Sequence, residues 1–460
     1  MPLYKEENFL VVHPGSQYTI FSFGLQDSLS PPQYKIPSII YQDSITKDYK
    51  SKRQNEQDIE IHPIKASNIV DLDAFNYLLK IILQSIITNN PIITINQIPL
   101  LLIVPSLTWS RSSIEYITKH VIESLEFTAF NILDMSLAAT FGVGSATNSV
   151  VVNVGYETIQ IVPVVGYQSI KYAGKILKNV GGKTLNEEMK KVLPNSFTDQ
   201  QIEDLKCSGI YEVSNDEDGF YSLRELNEEN GGEHFDVAKI VTTDGGAVGI
   251  NNTTTNGNNE EEKPNKELEN NFFIDSVTGE KVWVGKERFL GANKLVEKIA
   301  QGIYESLSLI PDIDRRQDCY DNIILIGSTF KIPGLKEALL IKLTKSYLVR
   351  DPEANKQKTY EGINSAILKY QQADDDADGE STTGVSQVPN SIKLAKYPDY
   401  FPEWKKPKER NGSWEDVYFL GGEIYSKQIF SSGSSHGREL FVGSEVYEDR
   451  GPQSIWDVSI

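Results

Sequence analysis

The chain has 460 residues, too many for one ordinary domain, so two or more are expected. Hydrophobic residues make up 39%, enough for a buried core, and the five histidines show no metal-ligand spacing. A formal charge of −19 argues against nucleic acid or an anionic membrane as the main binding surface.

The acid surplus is local. Residues 201–280 hold 19 acidic and 5 basic residues, and 371–390 hold 5 acidic and no basic ones, which accounts for the whole excess. Cys207 and Cys319 lie far apart, set no disulfide framework and fit a reducing compartment. The charged start and short apolar run Phe9–Val12 do not read as a signal peptide. The longest apolar run, Ile98–Val104, falls well short of the roughly 20 residues of a membrane span. A soluble intracellular protein is expected.

Phe9–Gly24 opens with a β-branched run, turns at V-V-x-x-G and returns through alternating apolar residues, which predicts a hairpin. Leu72–Ile87 predicts a helix with Phe75, Leu78, Leu79, Ile82 and Ile86 on one face. Ile98–Val104 predicts a buried strand. Ser112-Ser113-Ile114-Glu115 fits a capping box, opening a helix with Ile114, Ile117, Val121, Ile122 and Leu125 inward. Ser149–Gly166 repeats the first hairpin 140 residues on, with Val152 standing where Val12 stood. Residues 214–270 and 371–390 are rich in acidic and small polar residues and are expected to be disordered inserts. Leu295, Val296, Ile299, Ile303 and Leu307 form another helical stripe. Asp321–Gly327 is a strand running into a Gly turn, and Pro333-Gly334 opens a helix to about Leu348. Lys396–Trp404 has four aromatics and two prolines and is expected to be extended. It either packs on the body or docks a partner, with packing and one exposed edge favoured.

Each Gly turn alone is weak evidence, although backbone amides of two facing hairpins can clamp a polyphosphate. Their order is specific. The first hairpin, Pro37-Ser38-Ile39, Pro63-Ile64 with Ile69-Val70, Ile98–Pro105, Asn153-Val154-Gly155, Gly181-Gly182-Lys183, Ile326–Gly334, Phe419-Leu420-Gly421-Gly422 and Gly451–Ile455 together resemble the actin and actin-related protein family. The resemblance implies an α/β, actin-like fold: a duplicated, RNase H-like pair of domains with four subdomains and a central cleft. The implied outer domain is 1–148 with 350–460, its upper subdomain about 38–69. The inner domain is 149–349, its upper subdomain about 179–275 with the 214–270 insert, and 371–390 is a linker.

Ile392–Lys406, Tyr425–Phe430 and the Trp456-Asp457-Val458 ending resemble the fungal members of that family that are subunits of the SWI/SNF and RSC chromatin remodellers. That resemblance implies a nuclear scaffold. Its implied partners are a second actin-related protein of the number seven type, the helicase–SANT-associated helix of the remodeller ATPase subunit, and other remodeller subunits. Direct sequence-specific nucleic-acid binding and membrane binding are not expected.

By the same resemblance, the two positions where actin places a cation-ordering Asp hold His13 and Asn153, and the water-orienting Gln aligns with Asp134. Mg²⁺ prefers hard anionic oxygen, so a neutral imidazole and amide are poor substitutes. A carboxylate about 4 Å from a γ-phosphate costs roughly 4 kcal/mol at an effective dielectric near 20. Pro14 removes a loop amide, and His13 reads as a packed histidine rather than a base. No catalytic residue, resident metal or cofactor is therefore expected. Gly15, Ser16, Gly155, Gly182, Gly327, Ser328 and Thr329 are left as a vestigial nucleotide cleft that could still admit ATP. Partner binding is assigned, on the resemblance, to an apolar cleft lined by Thr140, Phe141, Gly166, Tyr167, Tyr425, Ile429 and Phe430. The alternative is a nucleotide-binding, actin-like ATPase able to form filaments. A small-molecule kinase or chaperone on the same fold is disfavoured by the Gly-Pro-x-x-Ile ending.

Overall fold

The computed structural model describes residues 4–25, 29–214, 264–349, 388–405, 413–431 and 440–459. The two acidic inserts fall mostly on residues 215–263 and 350–387, outside the described residues.

Two mixed sheets repeat one plan. In the first, β1 (Leu10–Pro14) forms an antiparallel hairpin with β2 (Tyr18–Phe23), which continues to β3 (Tyr34–Pro37). On its other side β1 runs parallel to β9 (Leu100–Val104), followed by β10 (Ala129–Asp134) and the short β18 (Val442–Gly443). In the second, β11 (Asn148–Val154) pairs antiparallel with β12 (Thr158–Val165) and parallel with β17 (Ile323–Ile326). β12 carries β13 (Gln168–Ser169) and β14 (Lys175–Lys178). Parallel partners need a crossover, and helices supply it. The duplicated α/β architecture expected from the hairpin echo is the one observed.

Alternation along the strands places the core. Val12, Leu100 and Leu102 face a cluster with α1 (Leu72–Asn89) and α2 (Arg111–Lys119). Val152 and Val154 face another with α6 (Asn293–Leu307) and α7 (Ile313–Asp321), the helices between β14 and β17 that follow α4 (Gly182–Val192) and α5 (Asp199–Cys207). The intervening Val11, Leu101, Ile103, Val151 and Ile324 share a third cluster with α3 (Met135–Val143) and α9 (Val417–Ser426), so this helix pair lies between the two sheets. Each fully buried aliphatic side chain there contributes about 1.5–3 kcal/mol. The predicted α1 stripe is buried, and Asp71 caps that helix by accepting from Ala74 N. α8 (Leu335–Tyr347) begins after Gly334 as expected.

Three smaller sheets complete the described residues: β4 (Ile40–Gln42) with β5 (Tyr49–Lys50) and β6 (Ile59–Ile61), the β7–β8 hairpin (Ile64–Lys65, Asn68–Ile69), and the β15–β16 hairpin (Asn271–Ile274, Lys281–Val284).

Three expectations are corrected. The α2 cap is Ser110, whose hydroxyl accepts from Ser113 N, so the box at Ser112–Glu115 lies inside the helix. Glu115 instead takes Arg111 and the Trp456 indole, and the helix widens into a π turn at His120–Ser124. The acidic insert ends early, because residues 264–270 wrap a fully buried guanidinium. Arg288 donates to the carbonyls of Asn265, Leu268, Glu269 and Gly285. Finally, Pro402–Lys405 is one helical turn rather than extended, with Pro402 at its first position, where no amide is needed. Trp404 is buried, Tyr397 stacks on Trp414 at 4.8 Å, and Tyr400 stays 66% exposed, so the aromatic segment packs on the body with one free edge.

Candidate functional site

The tips of the β1–β2 and β11–β12 hairpins close alike. Gly15 N donates to Tyr18 O at 3.0 Å, and Gly155 N to Thr158 O at 2.9 Å. One glycine amide at each tip is thus engaged within its own turn. The second tip is also docked on the first turn of α4: Gly182 N donates to Gly155 O at 3.0 Å and Lys183 N to Tyr156 O at 2.9 Å. That approach explains Gly181, where a Cβ would lie 2.4 Å from Gly155 O. Thr329 Oγ1 donates to Gly155 O at 3.4 Å, and a Cβ on Gly327 would lie 2.5 Å from Val154 O. The structure therefore gathers Gly155, Gly182, Gly327 and Thr329 into one group. Ser328 beside them is exposed, while Gly15 and Ser16 lie at the other hairpin tip.

His13 and Asn153 hold matching places, opposite Ile20 and Gln160 in their hairpins. The His13 imidazole is buried. Its Nδ1–H donates to Ile103 O at 3.0 Å, and its ring meets Tyr418 edge-on at 4.9 Å. Burial lowers its pKa to about 4, against a smaller upward pull from the Ile103 carbonyl, so the ring is neutral at pH 7. Asp134 is the N-cap of α3. Its Oδ1 accepts from Ser136 N at 2.9 Å, Ser136 Oγ at 2.5 Å and Ser106 Oγ at 2.6 Å, and Lys171 Nζ stands 3.6 Å from Oδ2. Asn153, Ser106, Ser136 and Gln160 line a cavity of about 10 Å³ between the sheets, room for about one water.

Sequence reading missed Gln160 and Ser67. Gln160 Oε1 accepts from Leu107 N at 3.1 Å, while its buried Nε2 has no protein partner. Counting back from the hairpin turn would have paired it with Asn153. Ser67 sits in the β7–β8 turn and touches both hairpin tips: its N–H donates to Ser16 Oγ at 3.1 Å, and its hydroxyl bonds Thr158 Oγ1 at 2.7 Å. No local pattern marks it.

The residues assigned to the partner cleft divide between core and surface. Thr140, Ile429 and Phe430 are buried: Thr140 bonds the Ser136 carbonyl at 2.9 Å, and Phe430 packs edge-on against Phe9 at 5.4 Å. Thr140 lies on α3, and Ile429 and Phe430 are the buried residues of the π turn after α9, Lys427–Ser431. Tyr425 is also buried, its hydroxyl pushed up to about 12 by desolvation. What faces outward is Phe141, stacked on Tyr425 at 6.0 Å, and Tyr167, 5.8 Å from Phe141, whose hydroxyl donates to Gly144 O. Gly166 is exposed at φ +58°, and a Cβ there would meet no neighbour.

A family model described as actin matches residues 4–243. Over 543 aligned positions, covering 99% of each chain, the sequence is 24% identical to the SWI/SNF and RSC complexes subunit arp9 of Schizosaccharomyces pombe.

Proposed function

This chain belongs to the actin family, and from that premise we propose that it is a non-catalytic, nuclear scaffold subunit of an ATP-dependent chromatin remodelling complex. In this reading it pairs with a second actin-related protein on the helicase–SANT-associated helix of the remodeller ATPase and regulates that motor. The observation that carries the reading is the end-to-end likeness to a relative named as a subunit of SWI/SNF and RSC complexes.

The site geometry supports the non-catalytic part. His13 spends its donor on a strand carbonyl and its face on Tyr418, and Asn153 is a neutral amide, so neither supplies an anionic oxygen for Mg²⁺. Asp134 is committed to capping α3 and to two serines, which leaves it badly placed to orient a water. Retained hairpins with altered side chains suit an inherited frame whose use has moved to its surface.

Co-purification tests the assembly. The full chain, mixed with a second actin-related protein and the isolated ATPase helix, is expected to elute as one ternary complex. A chain that elutes alone rejects the scaffold role. Mg²⁺-dependent phosphate release by the purified chain, or its assembly into filaments, would overturn the non-catalytic reading.

A further inference from the structure

We infer that the cleft of this chain is held shut by its own side chains, Ser67 tying the two hairpin tips and Tyr156 covering the Gly182 turn, so that closure needs no nucleotide. The inference rests on the proposed non-catalytic role and says what replaces a ligand there.

The Ser67 turn is the first observation. Ala66 and Ser67 have φ of 49° and 60°, left-handed values that a two-residue hairpin turn usually assigns to Asn and Gly. Neither residue favours that backbone locally, so the conformation must be held from outside. Three bonds do so, each to a different element. The Ser67 N–H donates to Ser16 Oγ in the first hairpin, its hydroxyl bonds Thr158 Oγ1 in the second, and its carbonyl accepts from Thr108 Oγ1 at 2.6 Å after β9. Every polar group of one residue is spent on joining the two sheets.

Tyr156 is the second. It stands at the tip of the second hairpin, and its ring lies 5.1 Å beneath the Lys206 ammonium. A Cβ on Gly182 would meet Tyr156 Cδ2 at 3.5 Å, Lys206 Nζ at 3.4 Å and Thr329 Oγ1 at 3.3 Å. The ring therefore covers the face that the Gly182 turn would otherwise offer a ligand. Lys206 is occupied as well, 2.6 Å from Glu203 Oε2, which also accepts from Asn186 Nδ2 at 2.7 Å. Lys206 is therefore already paired with a carboxylate, and Lys183 in the turn itself lies 3.5 Å from Glu157 Oε1.

Hydrogen exchange on the full chain tests this. Ser67→Gly keeps the N–H and carbonyl and suits the left-handed backbone, so the turn folds and only the hydroxyl link is lost. Thr158→Val removes the same link from the other side at nearly constant shape. Each is expected to speed exchange of the amides at 15–18 and 155–158 by about tenfold, and the double variant no further, because one bond has been cut twice. Tyr156→Ala should do the same at 181–184. Unchanged exchange in the single variants, or additive effects in the double, would refute the clasp while leaving the scaffold role standing. Wild-type exchange should be unaltered by 1 mM ATP with Mg²⁺. Protection of the wild-type tips by nucleotide would overturn self-closure, whereas failure of the wild type to bind the ATPase helix counts against the scaffold role alone.

Discussion

His13 and Glu423 are both buried, and they titrate in opposite senses. His13 has a folded pKa of about 4 against an ordinary value of 6.5, so the unfolded chain takes up the proton first. The stability this histidine contributes is complete above pH 6.5 and is lost as the pH falls towards 4. Between pH 7.5 and 5 the loss amounts to about 2 kcal/mol. His13→Gln keeps a donor for Ile103 O but does not titrate, so its urea midpoint should fall less than that of the wild type between those pH values. Equal slopes would mean that the imidazole is hydrated. Glu423 on α9 is 2% exposed, its Oε2 has no partner, and burial pushes its carboxyl well above the usual range, against a weaker downward pull from Lys427 and the Ser30 amide. Here the folded state holds the proton longer. Stability is complete below about pH 4.5 and declines as the pH rises towards the folded pKa. Glu423→Gln should therefore stabilise the protein at pH 8 by about 1–3 kcal/mol and change little at pH 4.5. Destabilisation at pH 8, measured by the same urea titration, would mean the charge is satisfied after all.

Elements meet most closely where α3 crosses α9. A Cβ on Gly421 would lie 1.7 Å from Ala138 O, and one on Gly142 would lie 2.2 Å from Val417 O, so the helix backbones touch. No rotamer change relieves a clash with backbone. Gly421→Ala should cost 3 kcal/mol or more, at the upper end of overpacking, and lower the melting temperature in calorimetry. A shift within error would show that the two helices can slide apart. The Phe-Leu-Gly-Gly signature was legible in the sequence, but its glycines answer to distant contacts: Gly421 meets α3 at Ala138, and Gly422 faces the Ile103 side chain of β9. The same divide runs through the molecule. The hairpins, the central strands and the α1 stripe were legible because period-two and period-3.6 patterns are local. The Ser110 cap was missed because four consecutive polar residues, Ser110–Ser113, offer competing caps. The 264–270 segment was misread because its composition is polar, while its order comes from Arg288, some 20 residues on. At the site, Asn153, Gly155, Gly182 and Thr329 were singled out because their segments resemble family motifs in the same order. Ser67 was not, since its partners lie 51, 91 and 41 residues away. The burial of Ile429 and Phe430 was not legible, because it is set by distant packing such as that of Phe430 on Phe9.

For the whole molecule, the separation of core from surface around Phe141 and Tyr167 gives the sharpest test of the proposed partner face. Phe141 and Tyr167 are half-buried and adjacent, while Phe430 beneath is fully buried. An amphipathic helix lying on this face would draw most of its affinity from the two outward aromatics. Phe141→Ala and Tyr167→Ala should each weaken binding of the labelled ATPase helix tenfold or more, read by fluorescence anisotropy. Because both side chains keep solvent contact, the melting temperature should fall by only a few degrees. Phe430→Ala should do the reverse, costing about 3–5 kcal/mol of stability through the cavity it leaves. Measured under conditions where it stays folded, its helix affinity should be close to wild type. If instead the two surface variants bind normally, the helix docks elsewhere on the body and the scaffold role must rest on another face. If all three lose affinity only in proportion to their lost stability, binding tracks the folded fraction, and the aromatics make no contact with the partner.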